Sequence, residues 1–405
     1  MSDSVLEGLV LEGTSKIVLL VLDGVGDLPD SAHGWRTPLE AARTPNLDRI
    51  VPAASLGRLL PVAPGITPGS GPGHLALFGY DPIATQVGRG VLEALGAGLE
   101  LKPGDVAARA NFCTVDGAGV VTDRRAGRID TAASARLVER LAKEAARIED
   151  AQVILAPGKG HRFVALFRGP GLGGEASDAD PHKEGKAIPA SRSLSGGGAG
   201  EKTARIANAF VTRAREVLAR DHPANAALLR GLSERPRVPG YRERFKLRAA
   251  AVAGYPMYRG LGQLAGMDVL PTGETPAEAF AVAGQHWASY DFFFIHVKGT
   301  DMAGEDGDFD KKRACLEEVD RALPDLLALE PTVLCVTGDH STPVPMKGHS
   351  WHPVPALIVA SCCGADREPR FHERSARAGS LGTLASKDLM ALLLAHAGRL
   401  DKFGA

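Results

Sequence analysis

The sequence predicts an α/β protein: a mostly parallel sheet between helices, plus a smaller inserted α+β domain. Three observations carry this. Short continuous apolar runs, each leading to an acid or an imidazole, occur near the start and repeatedly near the end of the chain, as strands buried on both faces do. Helical patterns separate the later runs, the strand–helix alternation of parallel sheets. The middle of the chain alternates apolar and polar residues at period two, which reads as sheet with one wet face.

In chain order, Lys16-Ile-Val-Leu-Leu-Val-Leu-Asp23-Gly24 is the first buried strand, with a functional candidate at its carboxyl end. Pro64-Gly-Ile-Thr-Pro-Gly-Ser70-Gly-Pro-Gly-His74 turns sharply around one serine and runs into an apolar segment that reads as a helix. Residues 1–105 are expected to be the first part of the core, 106–248 the insert and 249–405 the second part. Within the insert, Arg109–Val115 and Arg162–Phe167 read as alternating strands around an amphipathic helix at 131–146. Ser195-Gly-Gly-Gly-Ala-Gly200 reads as a mobile surface loop. Phe292-Phe-Phe-Ile-His-Val297 leads to Asp301, Thr332-Val-Leu-Cys-Val336 leads to Asp339-His340, and Pro355–Ala360 is a further strand. Between them, Lys312–Leu323 is helical and should end or kink at Pro324.

Composition narrows the function. The 405 residues are 44% apolar, enough for a core of two or three domains or one large domain with an insertion. Lys and Arg number 47 against 48 Asp and Glu, so no net field draws the protein to nucleic acid or an anionic membrane. No apolar run is long enough to span a bilayer, and the start Met1-Ser-Asp-Ser-Val-Leu-Glu7 has no signal-peptide character. The five cysteines follow neither disulfide nor zinc spacing, which fits a reduced, cytoplasmic protein.

Asp23, Asp301, Asp339, His340 and His349 form an oxygen-and-nitrogen donor set suited to Mn²⁺, Zn²⁺ or Mg²⁺. A single Asp after a strand is commonly a helix cap; several in one chain, beside His340 and His349, are harder to read that way. Ser70 sits where a helix N-terminus and a metal would favour its alkoxide, or else where it merely caps that helix. There is no Gly-x-Ser-x-Gly elbow and no Walker loop. Asp123, Arg124, Arg128, His161, Arg162 and Arg230 lie in Gly-flanked basic segments that suit a small, multiply anionic substrate or, read singly, a solvated surface.

Taken together these segments resemble the cofactor-independent phosphoglycerate mutases of the archaeal type, in the alkaline phosphatase superfamily. The carriers are Val21-Leu-Asp23-Gly-Val-Gly-Asp27, Thr37-Pro-Leu-Glu-Ala-Ala-Arg-Thr-Pro-Asn-Leu-Asp48, Gly69-Ser70 with His74-Leu75 and Gly79-Tyr-Asp-Pro82, and Asn111-Phe-Cys-Thr114. Asp123-Arg-Arg-Ala-Gly-Arg128, His296-Val-Lys-Gly-Thr-Asp301, Gly338-Asp-His-Ser-Thr-Pro343 and His349 before Pro353-Val-Pro355 complete them over nearly the whole chain.

The resemblance implies an alkaline-phosphatase-like core and interconversion of 3- and 2-phosphoglycerate through a phosphoserine on Ser70, in glycolysis and gluconeogenesis. It implies two divalent cations, Mn²⁺ leading with Mg²⁺, Co²⁺ and Zn²⁺ as alternatives, and no 2,3-bisphosphoglycerate. Asp23, Ser70, Asp339 and His340 resemble the ligands of one metal, Asp301 and His349 those of the other. The family's remaining ligand is a histidine four residues after the Asp; here that position is Glu305, a harder donor that favours Mn²⁺ or Mg²⁺ over Zn²⁺. Gly71-Pro-Gly73 also departs from the family, which often has an acid and small residues after the serine. Asp123, Arg124, Arg128, His161, Arg162 and Arg230 are expected to bind the substrate's carboxylate and phosphate, His161 and Asp123 also as proton carriers. The partner is thus a small phosphoglycerate, with no nucleic acid or membrane and the oligomeric state open. The alternative is a metal-dependent phosphatase, or another phosphate- or phosphonate-ester mutase, on the same core.

Overall fold

The computed structural model of the chain describes residues 3–236 and 238–404. They form two compact units, one of residues 3–86 with 238–404 and one of residues 87–236.

The sheet of the first unit has the strand order Asp268–Leu270, Ala249–Ala253, Phe292–Val297, Ile17–Leu22, Val333–Thr337, Val354–Ala360, Ser55–Leu60, Gly382–Ala385. Ile17–Leu22 is buried at every position, as its unbroken apolar run requires. Val354–Ala360 alone runs against its neighbours. It follows Val333–Thr337 through a connection whose only helical turn is Val344–Met346, and an antiparallel return needs no crossover helix. Val18, Leu20, Phe293, Ile295, Leu316, Val319 and Leu323 pack in one buried cluster.

Register positions the site. Leu22 lies beside Val297, and Val21 beside Thr337, so three central strands end level. Their next residues are Asp23, Lys298 and Gly338, at the carboxyl edge where open α/β sheets place ligands.

Of the two outcomes expected at Pro324, an end or a kink, the helix does not end there. The helix runs Phe309–Leu327 with the proline inside. The carbonyl that proline leaves unpaired, that of Asp320, accepts instead from the Asn46 side chain at 3.0 Å. The Asp320 carboxylate also takes the main-chain N–H of Leu47 at 2.7 Å, anchoring the first turn of the helix Pro45–Ile50.

The second unit is an antiparallel sheet in the order Arg147–Ile148, Ala151–Pro157, Arg162–Arg168, Val106–Val115, Val120–Asp123, Lys186–Ala187, with Ala226–Glu234 also paired to Val106–Val115. The expected wet face is missing from Val106–Val115, which is buried everywhere except Arg109. Val138, Leu141, Ile206 and Phe210 of the helices Thr131–Glu144 and Gly198–Leu218 share a cluster with its even-numbered residues. The helix Arg89–Gly96 packs against the same strand, and a Cβ on Gly90 would lie 2.1 Å from the Ala107 carbonyl. That contact assigns Arg89–Gly96 to this unit, whereas the sequence alone places the start of the insert at 106. The glycine-rich stretch is only partly loop, because Gly198 already begins a helix of 21 residues. No helix of the described residues is long and apolar enough to cross a membrane.

Candidate active site

Two donor groups meet at the carboxyl edge of the first unit's sheet. Asp23, Asp339 and His340 form one, Asp301, His340 and His349 the other, with the donor atoms of each within 4.8 Å of one another. His340 Nε2 is central: it lies 3.1 Å from Asp339 Oδ2, 3.4 Å from Asp23 Oδ1 and 3.3 Å from Ser70 Oγ. Ser70 is the first residue of the helix Ser70–Leu77; Gly69 holds the cap position, so the serine hydroxyl is not the cap. Gly73 lets that helix approach, since a Cβ there would stand 2.4 Å from the Asp339 carbonyl. Gly24, at φ +61°, turns the chain after Asp23 where a Cβ would strike Thr342 Oγ1.

Hydrogen bonding fixes both imidazoles. Thr342 Oγ1 donates to Asp301 Oδ1 at 2.6 Å, so it accepts from His340 Nδ1 at 3.0 Å. His349 Nδ1 donates to the Pro68 carbonyl at 3.0 Å. Each ring therefore points its Nε2 into the site. Asp23 Oδ1 and Asp339 Oδ2, both fully buried, have no hydrogen-bond partner among the described residues. Buried carboxylate oxygens without hydrogen-bond partners, gathered around imidazole nitrogens, are a costly arrangement that a divalent cation relieves, so the donor set fits a metal. His349 Nε2 is 3.6 Å from Asp301 Oδ1 and 3.8 Å from Glu305 Oε1; Glu305 is exposed and stands outside both donor groups.

A second layer supports the carboxylates. Lys298 Nζ donates to Asp23 Oδ2 at 2.9 Å, Asp301 Oδ2 at 2.5 Å and Tyr258 Oη at 3.0 Å. Burial opposes the ammonium, but the two carboxylates outweigh it and hold its pKa above the usual lysine value. Burial likewise opposes ionised Asp23, yet His296, Lys298 and His340 keep that carboxyl well below the usual range. His74 Nδ1 donates to the Ser70 carbonyl at 2.8 Å and lies 3.1 Å from Asp339 Oδ2, linking the serine's main chain to a candidate ligand.

The second unit gathers basic side chains on one sheet face and around one cavity. Arg109 pairs across the sheet with Arg230, and Asn111 with Arg162, so period two puts all four on one face. Burial lowers Arg109 to about 10 despite Glu93, with Arg162, Arg89 and Arg230 adding like-charge repulsion. The buried Asn111 Oδ1 has no partner among the described residues. Beside this, Asp123, Arg124, Arg125, Gly127, Arg128, Lys183 and Glu184 line an open cavity of about 550 Å³.

Residues 53–225 match the family model described as 2,3-bisphosphoglycerate-independent phosphoglycerate mutase. A protein of Thermotoga neapolitana named "Probable 2,3-bisphosphoglycerate-independent phosphoglycerate mutase" is 52% identical over 397 residues, 98% of each chain. The chain belongs to this family. A Thermus thermophilus protein of the same name is 50% identical over 404 residues, 99% of each chain. Among solved structures, the cofactor-independent phosphoglycerate mutase of Thermoplasma acidophilum is similar at a TM-score of 0.76 and 33% identity, covering 95% of this chain and 100% of that one. A Pyrococcus horikoshii protein reaches 0.82 at 32% identity, covering 97% and 100%.

In this mutase-family chain, Asp23, Ser70, Asp301, Asp339, His340 and His349 converge, and Glu305 stands at their edge. His352, three residues from His349, bonds to Ser350 Oγ at 3.0 Å and joins neither donor group. The six residues expected on substrate divide. Asp123, Arg124 and Arg128 line the cavity, while Arg162 and Arg230 belong to the sheet face with Arg109. His161, lowered by burial and by Arg162, Arg125 and Arg109, also feels Asp123. Arg124 forks onto buried Asp180 at 2.6 and 3.1 Å, and Asp123 accepts the main-chain N–H groups of Arg125 and Gly127, so both also brace their loop. Sequence reasoning gave no role to Tyr258, His296, Lys298, His74, Arg89 or Arg109. For Lys298, His296 and His74 the signal was their place inside the quoted motifs. For Tyr258 nothing local distinguishes it from a core tyrosine.

Proposed function

We propose that the chain interconverts 3-phosphoglycerate and 2-phosphoglycerate without 2,3-bisphosphoglycerate, with Ser70 carrying the phosphoryl group between the two positions. The observation that carries this is the convergence of Asp23 Oδ1, Asp339 Oδ2 and Ser70 Oγ on His340 Nε2, the carboxylate oxygens unpartnered. Two divalent cations, Mn²⁺ first among the candidates, held by Asp23, Ser70, Asp339 and His340 and by Asp301, His349 and Glu305, would lower the serine hydroxyl's pKa and offset phosphate charge.

Ser70 Oγ loses its proton and forms the new P–O bond; the bond from phosphorus to the C3 oxygen breaks, and that oxygen takes a proton. The 2-hydroxyl of the same glycerate then attacks the phosphoserine phosphorus and gives up its proton; the bond from phosphorus to Ser70 Oγ breaks, and that oxygen takes a proton, restoring the free serine. Retention of glycerate between these steps separates a mutase from a phosphatase. Arg109, Arg162 and Arg230, with Arg128 and Lys183, offer guanidinium and ammonium groups for the carboxylate and phosphate, and Lys298 adds a charge at the serine site. Asp123 and His161 are the groups proposed to carry protons in the insert. The role lies in glycolysis and gluconeogenesis, in the cytoplasm.

The test is activity on 3-phosphoglycerate with Mn²⁺, following 2-phosphoglycerate and free phosphate together, beside Ser70→Ala. Isomerisation without bisphosphoglycerate that vanishes in the variant is expected. Mostly free phosphate would make the chain a phosphatase on the same core.

A further inference from the structure

The two oxygens of Asp23 lie in opposite environments. Oδ2 receives the Tyr258 hydroxyl at 2.5 Å, the Lys298 ammonium at 2.9 Å and His296 Nε2 at 3.2 Å. Oδ1 receives no hydrogen bond among the described residues and faces His340 Nε2. Three donors exhaust the lone-pair directions of one carboxylate oxygen, so Oδ2 has none to spare. We propose that Tyr258 is a positioning residue: with His296 and Lys298 it saturates Asp23 Oδ2, so that Asp23 presents Oδ1 alone to a bound cation. The inference rests on the metal reading of this site.

Donor and acceptor roles close consistently around the tyrosine. Lys298 has three N–H groups, and Asp23 Oδ2, Asp301 Oδ2 and Tyr258 Oη take one each. Tyr258 Oη, accepting from Lys298, has its one proton left for Asp23. The ring is itself held in place, stacked on His296 with centroids 3.6 Å apart and 4.8 Å from His74. His296 gives Nε2–H to Asp23, and its Nδ1 is buried without a partner, so the imidazole's task here is to supply one donor to that oxygen. A carboxylate free at both oxygens can chelate through either or both; one pinned at Oδ2 can bind in one way only. Groups that orient ligands from behind tune metal sites in this manner.

The full chain loaded with Mn²⁺ tests this, by crystallography and by Mn²⁺ electron paramagnetic resonance. In the wild type Asp23 is expected to bind through Oδ1 alone, with Oδ2 still on Tyr258. Tyr258→Phe keeps the ring and removes one donor; it is expected to change the zero-field splitting and to lower kcat about tenfold or more, with KM for 3-phosphoglycerate within about twofold. Should that variant fail to fold, His296→Leu removes another donor from the same oxygen and should change the spectrum likewise, whereas His296→Gln, which keeps an N–H, should restore it. Bidentate Asp23 in the wild type, or an unchanged spectrum and kcat in variants lacking a donor, overturns the proposal. A wild type that binds no Mn²⁺ overturns the metal reading itself, and this inference with it.

Discussion

The imidazole of His349 lies flat against that of His340, with ring centroids 3.6 Å apart and planes inclined by 25°. His349 donates its Nδ1–H to Pro68 and His340 its Nδ1–H to Thr342, so the pair presents two Nε2 atoms to the site. His340 faces Asp23, Asp339 and Ser70; His349 faces Asp301 and Glu305. Removing one ring should therefore empty one cation position and spare the other. His349→Ala is expected to retain about one Mn²⁺ per chain against about two in the wild type, by elemental analysis after gel filtration. Equal retention would mean that His349 is not a ligand.

Glu305 lies on the helix Gly299–Asp306 one turn after Asp301, at the position where the resemblance implies a histidine. An imidazole there would soften the donor set. Glu305→His should shift the preference of that position from Mn²⁺ toward Zn²⁺ by about tenfold, measured by competitive titration. A ratio that does not move would place Glu305 outside the coordination shell.

Arg109 is half-buried among like charges with the Glu93 carboxylate 3.6 Å away, an arrangement that an anionic substrate would relieve. Arg109→Met is expected to raise KM for 3-phosphoglycerate about 10- to 100-fold, the worth of one charge-assisted hydrogen bond. The thermal midpoint of the ligand-free chain should not fall, because repulsion is relieved. A lower midpoint with unchanged KM would make the residue structural.

Glu373 is pushed up to about 7, chiefly by burial and further by Asp27, although the Thr37 hydroxyl at 2.7 Å and Lys312 pull the other way. With the folded pKa above the unfolded 4.5, the folded chain keeps a proton that the unfolded chain has lost between these values. Its stabilisation is thus full below pH 4.5 and disappears as pH rises through 7. Glu373→Gln should gain on the wild type by on the order of 2 kcal/mol between pH 5 and pH 8, read from denaturant unfolding. A constant difference across that range would show an ordinary carboxyl.

The Asp320 carbonyl freed by Pro324 makes the Asn46 side chain a replacement for a helix bond. Asn46→Ala is expected to cost about 1–3 kcal/mol by leaving that carbonyl unpaired. In a Pro324→Ala background the restored N–H can take its place, so the same change should cost at least about 0.5 kcal/mol less. An additive cycle would refute the compensation.

Sequence alone determined what depends on the chain's immediate neighbours. The apolar runs ending at Leu22, Val297 and Val336 announced buried strands, and parallel pairing leaves their ends level. Asp23, Asp339 and His340 had to share an edge once those strands paired. Ser70 was legible because its glycines and the apolar run beyond it mark a turn into a helix. Tertiary structure decided whatever needs a partner distant in sequence. Pro324 is accommodated within its helix because Asn46 reaches the freed Asp320 carbonyl from 274 positions away. The strand Val106–Val115 has no wet face because helices cover it, and Arg109 belongs with Arg230 through register that no local pattern reveals. Tyr258 looks like any core tyrosine until folding brings Asp23 Oδ2 to 2.5 Å from its hydroxyl. Local patterning is set by backbone sterics and solvent exposure, which act within a few residues; the partner of a buried polar atom is chosen by packing, which acts across the whole unit.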